Sequence, residues 1–218
     1  MTIRLEIGAR TVFTAGLVEV VAARLDAPPD TVRALSAWLC AAEQRRAARF
    51  RFERDRRRFI VARARLRQVL AARLGVQPEE IEFVYGANGK PALAPRFAGA
   101  GWDFNASRCE ELALYAVSRA RDVGIDLEAI CAVREADDIA ARFFSRRERA
   151  AYRALAPAQR PLGFLRCWTR KEALVKAQGA GLSMPLAQMD LSRTPPGWWL
   201  RSFTPRPGFI AAAAIRHG

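Results

Sequence analysis

A chain of 218 residues that is 51% hydrophobic has the apolar surface to build one large domain or two small ones, which excludes a disordered protein. Its formal charge of +14 comes almost wholly from arginine, the only lysines being Lys90, Lys171 and Lys176, and it calls for an acidic partner without choosing among nucleic acid, a phosphorylated small molecule, an anionic membrane and an acidic protein. The single histidine, His217, stands next to the C-terminal end and the four cysteines are far apart, so histidine-dependent catalysis, a zinc site and a C-x-x-C redox pair are all disfavoured, and reduced thiols in the cytoplasm are expected.

In chain order, Thr2 to Ile7 alternates apolar and polar residues and predicts a first strand, while Thr11 to Val21 reads as more sheet or the start of a helix. Pro28-Pro29 breaks the chain, and a helix N-capped by Asp30 is expected through Trp38 and Leu39. From Ala41 to Leu74 the apolar positions Phe50, Phe59, Leu66, Val69 and Leu70 suit one or two helices with Gly75 as the stop. Twelve arginines fall between Arg45 and Arg73. Most read as a solvated helix face; Arg45, Arg46, Arg49 and Arg58, which flank the anchoring Phe50 and Phe59, are the ones to single out.

A strand at Ile81 to Tyr85 and the turn Asn88-Gly89-Lys90-Pro91 follow. Asp103 to Arg108 leads into a strand at Leu112 to Val117, which a turn at Arg119 to Asp122 joins to Val123 to Glu128 in an expected hairpin. An acidic helix start lies around Arg134 to Asp138, and Ser145 with Glu148 three residues on forms a capping box. Pro157 and Pro161 bound a linker before a helix expected over Phe164 to Gln178, stopped by Gly179. Closing strands are predicted at Trp198 to Phe203 and Gly208 to Ile215. The apolar run Phe209 to Ile215 is too short to cross a bilayer, and Glu6, with no basic start and apolar core, argues against a signal peptide.

The chemistry concentrates in two segments. On the strand, Asp126 and Glu128 share a face, about 7 Å apart along the backbone; taken alone such a pair reads as a solvated strand face, and if partly buried it calls for a divalent cation. On the helix, Lys171 and Glu172 fall inside the apolar sector formed with Phe164, Leu165 and Trp168, with Lys176 at its edge. Carboxylates on a core-facing stripe need a counter-charge. Oxygen-only ligands without histidine favour magnesium or manganese, and magnesium completes its shell with water and phosphate oxygens. The pattern points to a magnesium-dependent enzyme acting on a diphosphate or triphosphate, and the lack of G-x-x-x-x-G-K-[ST] excludes an ordinary P-loop protein.

The series Asn88-Gly89-Lys90-Pro91, Phe104-Asn105-Ala106-Ser107, Gly124-Ile125-Asp126-Leu127-Glu128, Arg142-Phe143-Phe144-Ser145 and Trp168-Thr169-Arg170-Lys171-Glu172-Ala173-x-x-Lys176-x-x-Gly179-x-Gly181-Leu182 resembles that of the surfactin-type 4′-phosphopantetheinyl transferases, over roughly residues 40 to 190. The resemblance implies an α+β (α/β) fold made of a pseudo-twofold pair of similar subdomains, residues 1–106 and 107–218, the second carrying the magnesium motifs. It implies coenzyme A bound between them and transfer of its phosphopantetheine arm to a serine of an acidic apo acyl or peptidyl carrier protein, with release of 3′,5′-adenosine diphosphate. By motif, Asp126, Glu128 and Glu172 would hold Mg2+. Glu172 and Lys176 would be catalytic, Lys176 also lying against the diphosphate and Lys90 near the adenine. Ser107, Arg108, Arg46 and Arg58 would hold the 3′-phosphate. Arg108 stands where the family usually has histidine. Lys171 either meets substrate or reaches past the core to solvent. The carrier is expected to dock near Ser145 to Gly163. A cytoplasmic monomer without nucleic-acid or membrane partners is expected; the alternatives are an arginine-rich nucleic-acid-binding protein and a silent relative that binds coenzyme A.

Overall fold

A computed structural model describes residues 9–15, 18–86, 89–119, 122–179 and 184–217; the strand expected at Thr2 to Ile7 lies outside them. Strands β1 (Ala9–Ala15) and β2 (Val18–Arg24) open the described residues, so the described part of Thr11 to Val21 is sheet. Helix α1 (Pro29–Ser36) begins one residue before Asp30, which sits in the first turn rather than at the cap, and it ends before Trp38. The arginine-rich stretch is two helices, α2 (Ala41–Ala48) and α3 (Glu53–Leu74), and α3 stops at Gly75, whose φ of 68° is open to glycine at no steric cost. After β3 (Phe83–Tyr85) and β4 (Pro91–Leu93) come the long strands β5 (Trp102–Cys109), β6 (Leu112–Arg119) and β7 (Val123–Ala129). Helices α4 (Ala136–Phe143), α5 (Arg146–Arg153) and α6 (Arg160–Gln178) precede β8 (Trp198–Phe203) and β9 (Phe209–Arg216). The capping box at Ser145 is formed: its backbone N–H donates to Glu148 Oε2 at 2.7 Å, and Glu148 N–H donates to Ser145 Oγ at 3.2 Å.

The expected hairpin of β6 and β7 does not form. Strand β6 pairs with β2 and β5 in the sheet β1-β2-β6-β5, whereas β7 pairs with β9 in the sheet β7-β9-β8. Both strands are buried on both faces, and alternation shows why: Ala113, Tyr115 and Val117 of β6 face the helices α1 to α3, while Leu112, Leu114 and Ala116 face Val123, Ile125 and Leu127 of β7. The other face of the second sheet, with Leu200, Ala212 and Ala214, receives Ala173, Leu174 and Ala177 of α6. The molecule is therefore layered helix, sheet, sheet, helix, and β5 runs through residues 106 and 107.

Strands β5 and β7 lie side by side without a backbone ladder, and side chains do the joining. Every second residue of β5 takes a rung: Val123 N–H donates to Asp103 Oδ2 at 3.1 Å, Ile125 N–H to Asn105 Oδ1 at 3.0 Å and Ala129 N–H to Cys109 Sγ at 3.3 Å. The remaining rung, Ser107, turns instead to Asp126 Oδ1 at 3.1 Å.

Most arginines of α3 are structural, which corrects the expectation of a solvated face. Arg57 donates to Ala27 O, Arg73 pairs with Glu19, and Arg67 is buried with hydrogen bonds to Glu43, Pro78 O and Ile81 O. Burial alone would raise the Glu43 carboxyl, but the Arg63 and Arg67 guanidiniums overcome it and hold the group below its ordinary range. All four cysteines are free thiols, and no helix among the described residues is long and apolar enough to cross a membrane.

Candidate functional site

The site is fixed by how closely α6 lies on β7. A Cβ at Gly124 would stand 2.0 Å from Ala173 O and 2.4 Å from Ala177 N, so only glycine lets the helix backbone rest on the strand there. With Val123, Ile125 and Leu127 committed to the inter-sheet core, Asp126 and Glu128 share the opposite face with Gly124, and Glu172 and Lys176, one helical turn apart on α6, come down beside them.

Asp126 is 4% exposed. Its Oδ1 accepts from Lys176 Nζ at 2.6 Å and from Ser107 Oγ at 3.1 Å, and Lys176 Nζ also lies 3.4 Å from Ser107 Oγ. Asp126 Oδ2 and Glu172 Oε1 are buried with no hydrogen-bond partner, a state that costs free energy unless a cation or solvent group completes it. Burial, then the Asp126 charge, pushes the carboxyls of both Glu172 and Glu128 up, and Lys176 offsets only part of this. Cys109 Sγ approaches Glu128 Oε2 at 3.9 Å. No three His, Cys, Asp or Glu side chains among the described residues are gathered to hold a metal ion; Asp126 bonds to the Lys176 ammonium, Glu128 and Glu172 feel its charge, and Asp126 and Glu172 each keep one buried oxygen without a hydrogen-bond partner. That donor set fits a hard divalent cation.

A stability signature follows for the metal-free protein. Because the folded carboxyl of Glu172 lies above its ordinary value of 4.5, the folded state binds the extra proton, and stability is lost as pH rises from 4.5 through the folded value. Relative to the parent, chelator-treated Glu172→Gln is expected to be more stable at about pH 8, with the difference closing by about pH 4, as read by thermal melts.

Ser107 joins this cluster to a second feature, a cavity of about 180 Å³ lined by Arg46, Phe59, Arg63, Ser107, Arg108 and Tyr115 among others. The guanidiniums of Arg46 and Arg108 sit 5.5 and 5.9 Å from the Phe59 ring centroid. Burial, then the nearby Arg46 charge, lowers the pKa of Arg108. Two like charges gathered over one ring ask for an anion. Of the other predicted residues, Arg45 and Arg49 line a neighbouring surface recess, and Lys90 pairs with Asp103 at 3.6 Å. Arg58 does not line the cavity; it is held by Asp26 at 2.8 Å and Glu110 at 3.4 Å. Arg63, passed over in the sequence, takes a place in the wall, pairs with Glu43 and lies 4.0 Å from the Phe83 ring centroid. Its i+4 spacing from Phe59 was the available signal.

Lys171 neither meets the cavity nor reaches solvent. It is fully buried, with Nζ 2.9 Å from Glu148 Oε2 and donating to Leu186 O at 2.9 Å and Met189 O at 2.7 Å. Glu148 Oε1 also accepts from Leu191 N–H at 2.8 Å, so the pair ties α5, α6 and the chain at 186–191 into one body. Lys171→Met is expected to destabilise by roughly 3–5 kcal/mol by leaving Glu148 buried and unpaired, with part of the loss recovered on adding Glu148→Gln, as read by chemical denaturation.

Residues 122–213 match the family described as the 4′-phosphopantetheinyl transferase superfamily, and residues 27–120 match that described as 4′-phosphopantetheinyl transferase, N-terminal. The chain is 39% identical over 200 residues to 4′-phosphopantetheinyl transferase HetI of Nostoc sp., covering 88% of this chain and 84% of that protein. It is 31% identical over 152 residues to a 4′-phosphopantetheinyl transferase of Bacillus subtilis, covering 70% of this chain and 65% of that one. Against the L-aminoadipate-semialdehyde dehydrogenase-phosphopantetheinyl transferase of Homo sapiens it is 28% identical over 172 residues, covering 72% of this chain and 56% of that one.

Proposed function

The chain belongs to the 4′-phosphopantetheinyl transferase superfamily and is such a transferase, and from that premise we propose that it moves the arm of coenzyme A to a serine of an acidic apo acyl or peptidyl carrier protein. The observation that carries the reading is Ser107, which lines the arginine cavity and bonds to the Asp126–Lys176 pair. A ligand with a monophosphate at one end and a diphosphate further along meets both places at once, as the 3′-phosphate and diphosphate of coenzyme A would.

In this reading Arg46, Arg108 and Ser107 bind the 3′-phosphate, and Arg58 is left to its ion pairs with Asp26 and Glu110. Lys90, which pairs with Asp103, would lie toward the adenine. Asp126, Glu128 and Glu172 would hold Mg2+, which when bound supplies neutralisation of the diphosphate oxygens. Lys176 takes charge that develops on the leaving phosphate as the P–O bond to 3′,5′-adenosine diphosphate breaks. Glu172, made more basic by burial and by Asp126, takes the proton from the attacking serine hydroxyl, directly or through water. The basic surface, including the region from Ser145 to Gly163, favours encounter with an acidic carrier. The enzyme is taken to act as a cytoplasmic monomer whose two subdomains, divided near residue 106, are related by a pseudo-twofold axis.

Calorimetric titration with coenzyme A and with its 3′-dephospho form, in Mg2+, tests the ligand assignment. Wild type is expected to prefer coenzyme A, and Arg108→Ala to weaken coenzyme A binding by roughly tenfold or more while leaving the dephospho form nearly unchanged. Equal affinity for the two ligands in wild type would overturn the 3′-phosphate site.

A further inference from the structure

Lys176 stands where a cation would. Its Nζ occupies Asp126 Oδ1 at 2.6 Å, while Asp126 Oδ2 and Glu172 Oε1, both buried, have no partner. With Oδ1 held by the lysine, one oxygen of Asp126 is not open to a metal ion. The side chain is 29% exposed, so the ammonium is not locked in the core, and its four-carbon stem leaves it free to turn toward an arriving ligand.

We propose that Lys176 is a built-in placeholder for the divalent cation, holding Asp126 in the empty enzyme and releasing it to the metal only when the diphosphate arrives to receive the lysine. This rests on the reading of the site as one for coenzyme A and Mg2+. A metal ion entering alone must displace Lys176 and strand its charge next to the new cation. A diphosphate entering alone finds Lys176 already neutralised and meets three carboxylates. Arriving together, each removes the other's obstacle, so metal and coenzyme bind with positive coupling that is equal in both directions.

A metal bridging carboxylates and diphosphate would also couple the two ligands, so Lys176→Met is what isolates the placeholder. Calorimetry would measure Mg2+ alone, coenzyme A alone, and each in the presence of the other, on wild type and on this variant. Wild type is expected to bind Mg2+ weakly alone and roughly tenfold or more tighter with coenzyme A, the reverse titration giving the same factor. Lys176→Met is expected to bind Mg2+ alone about tenfold tighter than wild type and to show a smaller coupling factor. A crystal structure of the wild-type complex with Mg2+ and coenzyme A, which needs no variant, should show Nζ beyond hydrogen-bonding distance of Asp126 and on the diphosphate. Lys176 still bonded to Asp126 in that complex, or equal Mg2+ affinity in the two proteins, overturns the placeholder while the coenzyme A reading stands. Failure of wild type to bind coenzyme A at any Mg2+ concentration removes that reading and the proposal with it.

Discussion

Asp126→Asn is expected to lower kcat/KM for arm transfer by on the order of a thousandfold, the scale of removing a preorganised group that acts on transition-state charge. Asp126 is the residue on which the site converges: it touches Lys176 and Ser107, its second oxygen is buried without a partner, and after burial its charge is the next cause that pushes up the carboxyls of Glu128 and Glu172. An asparagine keeps the shape and one acceptor but gives up the charge. The thermal midpoint should therefore stay close to that of the parent while turnover collapses, because the like-charge repulsion that the substitution relieves offsets the lost ion pair with Lys176. Rates from chromatography of the product nucleotide, with melts on the same preparations, check both halves. Near-native turnover would move the metal and the diphosphate elsewhere.

Gly124→Ala is the second large effect, and it acts through packing. One methyl group must be placed 2.0 Å from Ala173 O and 2.4 Å from Ala177 N, both backbone atoms that no rotamer change can move aside. The helix has to lift from the strand. Overpacking of this kind costs about 1–3 kcal/mol, and more where backbone must shift. Glu172 and Lys176 ride on that helix, and a displacement of about 1 Å at a reacting centre can cost about a hundredfold in rate. The expected result is a lowered midpoint of denaturation together with a drop in kcat of about a hundredfold or more. An active variant of ordinary stability would show that α6 does not depend on this contact.

These two residues also mark how far the sequence could be read. Asp126, Glu128, Glu172 and Lys176 were legible because a period of two on a strand and of 3.6 on a helix place them on defined faces, and the structure brings those faces together. The reason for Gly124 was not legible, since a glycine beside an aspartate says nothing of which backbone lies over it. The partner of β7 differs from the sequence expectation for a related reason: a short turn after β6 predicts a hairpin, but β7 is buried on both faces and completes a second sheet with β9, far along the chain. The ladder from Asp103, Asn105 and Cys109 to the β7 backbone, which takes the place of that hairpin, depends on a constant offset of twenty residues that no local pattern reveals. The partners of Arg58 and Lys171 could not be read from the sequence because a long cation can be turned by any acid within reach, here Asp26 and Glu110 for the first and Glu148 for the second. Charge patterning fixes the helix face of such a residue, not its counter-ion.

Intact-mass spectrometry tests the transfer itself most directly. Incubated with coenzyme A, Mg2+ and an apo carrier protein, the enzyme should add one phosphopantetheine arm, with no gain when the carrier's acceptor serine is replaced by alanine or when the metal is chelated. An unmodified carrier under conditions in which coenzyme A binding is verified by calorimetry would contradict the account.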